Sequence, residues 1–589
     1  MPLAISHAGC FMHEAKVSAR EYLRYYEGAF MTVQSRKPKL GWNYRNDTAA
    51  TAWELSFSEV RKQDEEAASL LLTCSYLSPN EISENLWEDE ECDTESQLRH
   101  KNRISLLVSY SLIKKSHAGA FSVHPVVHTW ARERLDNADQ LRVMGSAMKL
   151  IGKALGQQKL SRSSSEWDGR EERRMAGHAE HIGRYLKPKF AEFLEHGEES
   201  FKNDTLDIIH KIAGIFSSQG KYDEAMQWYE RALAGREKTL GTDHAETLTI
   251  ANNIAWVFSY QGKYTEAMQW YERALTGREK VLGKDHSDTL ATVSNIAWVF
   301  SSQGKYNKAM QWYERVLAGE EALGKDHAVT LATVNDMALV FSYQGKYDEA
   351  MRWHERALTG REKVLGKDHP ETLTTVSNMA GVFSRQGKYD KAMQWHERVL
   401  AGREKALGKD HPGTLATVND MAGVFSCQGK HNEAMQWYER ALIGEEKTLG
   451  KDHPRTLTTV NDMALAFSRQ DKYDEAMQWY ERALAGREKV LGKDHPETLM
   501  TVNDMAGLFS KQGKYDEAIQ WHERALAGRE KALGKDHPDT LTTANDIALI
   551  LDSQTKRNKP QPQYKRTFNR FTKAFGKNHP SKFKADHSI

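Results

Sequence analysis

Between about Asn203 and Pro538 the apolar positions of the chain recur in one fixed pattern. In the stretch from Thr289 to Gly324, a first stripe falls on Val293, Ile296, Ala297 and Phe300, at the spacing of one helix face. Gly304-Lys305 breaks the run. A second stripe follows on Tyr306, Ala309, Met310, Tyr313, Val316 and Leu317, and Gly324-Lys325-Asp326-His327 ends it. The pattern predicts a helix A, a tight turn, a helix B and a loop. Pro370, Pro412, Pro454, Pro496 and Pro538 follow the loop histidine, where the first residue of the next helix A tolerates a missing N–H. Ala297 and Ala309 stand where two helix backbones must approach.

Eight copies are marked by Trp228, Trp270, Trp312, Trp353, Trp395, Trp437, Trp479 and Trp521. They are 42 residues apart, except for 41 between Trp312 and Trp353, where Gly319-Glu320-Glu321-Ala322 lacks one residue. A fixed period of this length predicts an all-α solenoid whose units pack only on their neighbours. The order of Ile296-Ala297, Phe300, Gly304, Tyr306, Ala309, Tyr313 and Val316-Leu317 resembles the tetratricopeptide repeat. Helix B runs on through GREKxLG, and the long unit with LGKDHP and an Asn-rich helix A resembles the repeats of kinesin light chains. The resemblance implies a right-handed superhelix of helical pairs with a concave binding groove.

The N-terminal third reads differently. Pro2 to Phe11 and Ser18 to Phe30 predict helices, Trp42 to Thr51 a polar loop, Ala52 to Leu77 a helix, and Ile104 to Leu112 another. Ile113 to Val126 alternates around Gly119 as a hairpin does, and Trp130 to Leu155 is helical. Helices, a short hairpin and a further helix suggest a winged-helix module. Pro2-Leu3-Ala4, the segment Ala52 to Phe57, and Phe121-Ser122-Val123-His124-Pro125 resemble the regulatory subdomains of STAND-type NTPases, notably fungal receptors that carry tetratricopeptide repeats. In that family the histidine matching His124 reaches the ADP phosphate. Val123 and Pro125 depart from the family motif, and the phosphate-binding core has no counterpart here, so His124 is expected to be vestigial.

The expected organisation is a helical remnant over 1–40 and a winged-helix-like domain over 41–160. A helical adaptor over 161–202 leads to eight repeats over 203–538 and a degenerate ninth repeat with a basic cap over 539–589. The last assignment rests on Ala574-Phe575-Gly576-Lys577-Asn578-His579-Pro580, which lies 42 residues after Ala532 to Pro538.

Net charge is +1, but the segment from Thr555 to Ile589 carries +9, leaving −8 for residues 1–554. A solvated cap explains the basic end, and nucleic acid is disfavoured. The scattered Cys10, Cys74, Cys92 and Cys427 lack metal-ligand spacing and fit a reducing, cytoplasmic setting. No apolar run is long enough to span a bilayer, and Met1 to Phe11 lacks the basic start of a signal peptide. Gly381 to Lys388 is no phosphate loop: it has one residue too many and Tyr389 where Ser or Thr must hold magnesium. His244, His286, His327, His369, His411, His453, His495 and His537 recur once per repeat. Helices pack ~8–10 Å apart, too far for equivalent loops to share one metal ion, so these histidines are loop or cap residues. His354, His396 and His522 stand in for Tyr313-type packing residues. No catalytic set, cofactor or metal is expected.

Candidate binding residues come from the groove face that the resemblance assigns to helix A. A first row holds Asn252, Ser294, Asn335, Ser377, Asn419, Asn461, Asn503 and Asn545. Beside it run Asn253, Asn295, Asp336, Asn378, Asp420, Asp462, Asp504 and Asp546. A third row carries Trp256, Trp298, Leu339, Gly381, Gly423, Leu465, Gly507 and Leu549, and a fourth Tyr260, Ser302, Tyr343, Arg385, Cys427, Arg469 and Lys511. Amides suit an extended peptide backbone because they donate and accept. The walls pass from aromatic to basic along the chain. The expected function is a non-catalytic scaffold for a peptide or protein, either the sensor half of a STAND receptor or a kinesin light chain-like adaptor, with self-association open. The alternative is a nucleotide-switched STAND ATPase of which this chain is one part.

Overall fold

The computed structural model describes residues 2–26, 44–87, 94–116, 119–160, 169–196, 199–319 and 324–555. The expected ninth helix B and basic cap lie outside these residues. The chain divides into two compact units, Met1–Ser161 with Glu172–Ile215, and Arg162–Glu171 with Phe216–Ile589.

In the first unit, helices Tyr44–Gln63, Glu65–Cys74, Thr94–Ser109 and Pro125–Glu133 surround a three-stranded antiparallel sheet of Ile82–Ser83, Ala120–Ser122 and Lys114–Lys115, in that spatial order. Gly119 turns the hairpin with φ of 70°, a conformation that favours glycine. Three expectations fail. The stretch expected to be a loop, 42–51, is helical from Tyr44; Ala50, Ala52 and Trp53 supply a buried face that the polar residues mask in sequence. The single helix expected over Ala52 to Leu77 breaks at Asp64, which is extended and accepts from the N–H groups of Glu66 (2.9 Å) and Ala67 (3.0 Å). A carboxylate there satisfies two orphan donors of the new helix. The helix expected from Trp130 to Leu155 likewise divides, into Pro125–Glu133 and Asn137–Leu160.

The second unit is an array of helical pairs. A helices such as Ala245–Tyr260, Ser287–Ser302, Pro370–Arg385 and Pro454–Arg469 alternate with B helices such as Tyr264–Val281, Tyr306–Ala318, Tyr389–Leu407 and Tyr473–Val490. Each A helix starts at the residue after the loop histidine. The histidine Nδ1 accepts from the backbone N–H two residues on, at 3.3 Å for His244 and 3.1 Å for His495. These histidines are N-caps.

Within a repeat the two helices close on one contact. Leu331 of helix A packs where a Cβ on Gly360 would lie 2.4 Å from its Cδ2. The same leucine–glycine approach recurs at Leu248 and Gly277, and at Leu457 and Gly486. Between repeats the arginine of GREK acts as a buried strut. Arg278 donates to the carbonyl of Asp288 (2.9 Å), to Thr292 Oγ1 (2.8 Å) and to Thr249 Oγ1 (2.9 Å), so one side chain ties two A helices to the B helix between them.

Successive A helices are joined by short side chains, and successive B helices by long ion pairs. Asn295 donates to Asn252 at 3.3 Å, whereas Arg398 reaches Glu362 and Arg440 reaches Glu404, each at 2.5 Å between the long side-chain ends. Shorter spacers on the A side curve the array with its A helices innermost. The curvature brings the array back onto itself. His453 Nε2 donates to the carbonyl of Ser218 (3.1 Å), His495 to Tyr260 (2.8 Å) and His537 to Ser302 (3.2 Å), each across 235 residues. One superhelical turn is therefore a little over five and a half repeats of 42 residues.

Candidate functional site

The inner wall is built from the exposed side of the A helices, which the sequence assigned to four rows. The first row is committed to holding repeats together. Asn335 is buried, and its Oδ1 accepts from Asn378 Nδ2 (3.2 Å) and lies 3.1 Å from His354 Nδ1. Asn419 donates to Asp462 Oδ2 (2.9 Å), and Asn461, also buried, donates to Asp504 Oδ2 (3.0 Å) and accepts from Thr501 Oγ1 (2.9 Å). Asn503 Oδ1 accepts from Thr543 and faces His522. These amides run from one repeat to the next, and a peptide backbone would have to displace those bonds. The threonines that complete them were not singled out by the row pattern.

In the second row, burial raises the carboxyls of Asp336 and Asp462 to about 6, and that of Asp420 upward as well. For Asp462 the bond from Asn419 opposes that rise, while the neighbouring carboxylates of Asp420 and Asp504 add to it. Asp420 nonetheless presents its side chain to solvent. Surrounding protein desolvates the carboxyl without covering it, as the inside of a curved array does. Asn252, Asn253, Asn295 and Asn378 are half-buried on the same wall.

The third and fourth rows hold the accessible chemistry. Trp256, Tyr260 and Trp298 form one aromatic cluster: ring centroids are 4.9 Å apart for Trp256 and Tyr260 and 5.7 Å for each of them to Trp298. Both tryptophans are half-buried and Tyr260 is exposed. Further along, Arg385, Arg469 and Lys511 are exposed and fold back on the preceding A helix. Arg385 Nη1 donates to Ser342 Oγ (3.2 Å) and its guanidinium lies over the Tyr343 ring at 5.3 Å. Arg469 donates to Ser426 Oγ (2.9 Å), and Lys511 to the carbonyl of Ser468 (3.2 Å). Each arginine uses one nitrogen of its fork this way, and the planar remainder is suited to a carboxylate.

His124 belongs to the first unit. It caps the helix Pro125–Glu133, its Nδ1 accepting from the Val126 N–H at 3.3 Å, in the manner of the repeat histidines. Among the described residues, no three or more His, Cys, Asp or Glu side chains are grouped to hold a metal ion. No described helix is long and apolar enough to cross a membrane.

One deviation lies outside the four rows. Glu445 occupies the strut position held by arginine in sister repeats. It is buried, accepts from Thr459 Oγ1 (2.7 Å), and lies 3.7 Å from Arg455, where sisters such as Glu497 carry an acid. Ion-pair polarity is thus reversed in one repeat. Burial, the largest cause, raises the Glu445 carboxyl to about 7.

Comparison with known proteins agrees with the repeat pattern. The family described as tetratricopeptide repeat matches residues 204–280, 270–322, 329–405, 371–443, 436–489, 456–531 and 497–573, more than half of the chain. A nucleotide-binding leucine-rich repeat (NLR)-like protein of Hyaloscypha variabilis is 30% identical over 260 residues, 42% of this chain; the chain spans only 24% of that relative's length. Among solved structures, the nearly identical TPR-like repeats of a Podosopora anserina kinesin light chain are 25% identical, covering 35% of this chain and 97% of theirs at a TM-score of 0.29. A Rap protein complexed with competence and sporulation factor covers 67% of this chain and 99% of its own at 12% identity and a TM-score of 0.38.

Proposed function

The chain belongs to the tetratricopeptide repeat family, and on that premise we propose that residues 203–538 hold a peptide or protein ligand against the inner wall of the array. The observation that carries the reading is the accessible cluster of Trp256, Tyr260 and Trp298, followed along the same wall by Arg385, Arg469 and Lys511. Half-buried tryptophans in contact with one another offer a large apolar anchor at low entropic cost. The cations beyond them suit acidic groups. The ligand is therefore a segment with an apolar part and an acidic part. The first-row amides serve the wall's shape.

Peptides selected against the full chain test the reading. Trp298→Ala should weaken apolar ligands about tenfold or more, in the range of an interface anchor. Arg469→Glu should weaken acidic ligands and reduce their salt sensitivity. Equal binding to both variants and the wild type would place the ligand elsewhere.

The NLR-like relative supports a finer reading, in which this chain is the sensor part of a STAND receptor and residues 41–160 are its winged-helix module. A nucleotide-switched activity is the alternative within it. Calorimetry with ADP and ATP separates the two: heat of micromolar binding that disappears in His124→Ala favours the switch. Absence of binding leaves the scaffold reading.

A further inference from the structure

Three consecutive repeats of one superhelical turn lie on three of the next in a single register. Beside the bonds from His453, His495 and His537, the turn glycines Gly220, Gly262 and Gly304 pack on Pro454, Pro496 and Pro538. A Cβ on those glycines would lie 2.5 to 2.8 Å from the proline Cδ. Leu533, from the LGKDHP loop, joins the core around Tyr264, the first residue of a B helix. One turn thus offers its A-to-B turns, and the next its LGKDHP loops.

Both kinds of edge also occur uncovered. Leu365, the equivalent of Leu533 in an earlier repeat, is 37% exposed against 7%. The His286 side chain is 42% exposed against 9% for His537. On the opposite edge Tyr515 is 38% exposed where Tyr264 is 8%. At Gly387, Gly429 and Gly513 no atom lies within 4 Å of a would-be Cβ. The uncovered edges carry the same residues, at the same 42-residue spacing, as the edges that already fit one another.

We propose that the uncovered loop edge of one chain docks on the uncovered turn edge of a second copy, continuing the superhelix in the turn-to-turn register. A second copy is the occupant because it alone must present LGKDHP loops at the spacing and curvature of the A-to-B turns. The contact is heterologous, and because each copy advances along the superhelix axis it does not close into a ring, so pairs extend to longer assemblies. It is independent of any ligand on the inner wall.

Sedimentation velocity of the full chain over rising concentration tests it, with Leu365→Arg and Tyr515→Arg as exposed substitutions that spare the core. The wild type should associate beyond a dimer. Each variant alone should associate at least tenfold more weakly, because every contact then includes a damaged edge. An equimolar mixture should recover wild-type affinity but stop at a one-to-one pair, since only one intact combination of edges remains. A wild type that stays monomeric overturns the proposal. So does either variant assembling as the wild type does, or a mixture no stronger than its components.

Discussion

The imidazole Nε2 of His495 lies 2.8 Å from the carbonyl oxygen of Tyr260, a residue 235 positions earlier, while its Nδ1 accepts from the Glu497 N–H at 3.1 Å. One neutral ring caps its own helix and fastens one superhelical turn to the previous one. Both nitrogens are in use, which fixes the tautomer with the proton on Nε2.

His495→Asn separates the two roles. Asparagine remains a good N-cap but cannot reach Tyr260. Losing the distant bond should cost ~1 kcal/mol, the usual net worth of one hydrogen bond. Native-state hydrogen exchange should rise in two places, near Ser259 to Gly262 and near His495. A rise confined to residue 495 and its neighbours would mean that the turns do not support each other.

The reversed pair of Glu445 and Arg455 predicts a coupled double substitution. Glu445→Arg alone sets two guanidinium groups against each other and should destabilise its repeat. Adding Arg455→Glu restores the sister arrangement, as in Arg487 with Glu497. The coupling should be ~1–3 kcal/mol. Because the folded Glu445 carboxyl is raised to about 7, the native state binds the extra proton between pH 4.5 and 7. The Glu445 contribution to wild-type stability therefore declines as pH rises through that window. The double variant should lose that dependence. Additive effects in urea melts would show that the two residues do not interact.

His354 and His522 predict an acid sensitivity of the opposite sign. Burial lowers each to about 4. The unfolded chain takes up those protons first, so stability is full above pH 6.5 and falls as pH drops toward 4. From pH 7 to 5 each histidine should remove about 2 kcal/mol. His354→Tyr with His522→Tyr installs the residue that sister repeats use and should flatten the urea midpoints across that range. Asp336 and Asp462 titrate the other way, but they are common to both proteins. Unchanged pH dependence in the double variant would locate the sensitivity elsewhere.

Gly360→Ala probes the contact between helices within a repeat. The added methyl would fall 2.4 Å from Leu331 Cδ2, and overpacking of this kind costs ~1–3 kcal/mol. Combined with Leu331→Ala, the total loss should be smaller than the sum of the two single losses, because the truncation opens room for the added methyl. Hydrogen exchange should rise in that repeat and its neighbours. Uniform loss of protection along the array would contradict nearest-neighbour coupling.

Much of the array was legible because eight near-copies expose their own rules. Apolar spacing located helices A and B, the loop proline marked helix starts, and the loop histidine, read as a loop or cap residue, proves to be the N-cap. The strut arginine was also readable in principle: it recurs as Arg236, Arg278, Arg361, Arg403, Arg487 and Arg529, and its replacement by Glu445 coincides with a basic residue at Arg455. The N-terminal third offered no such internal comparison. A polar surface there concealed the helix from Tyr44, and the break at Asp64 rested on a capping bond that apolar periodicity does not register.

The sequence by itself determined the helical pairs, their 42-residue repeat and the residues available to each face, because these follow from local periodicity and backbone chemistry. Only the tertiary structure decided how those faces are used. The amides of Asn335 and Asn461 are equally able to bind a peptide or a neighbour, and the small rotation between repeats turned them toward neighbours. The same rotation, summed over more than five repeats, set His495 against Tyr260. A pitch accumulates from many small packing angles and is written in no single segment of the chain.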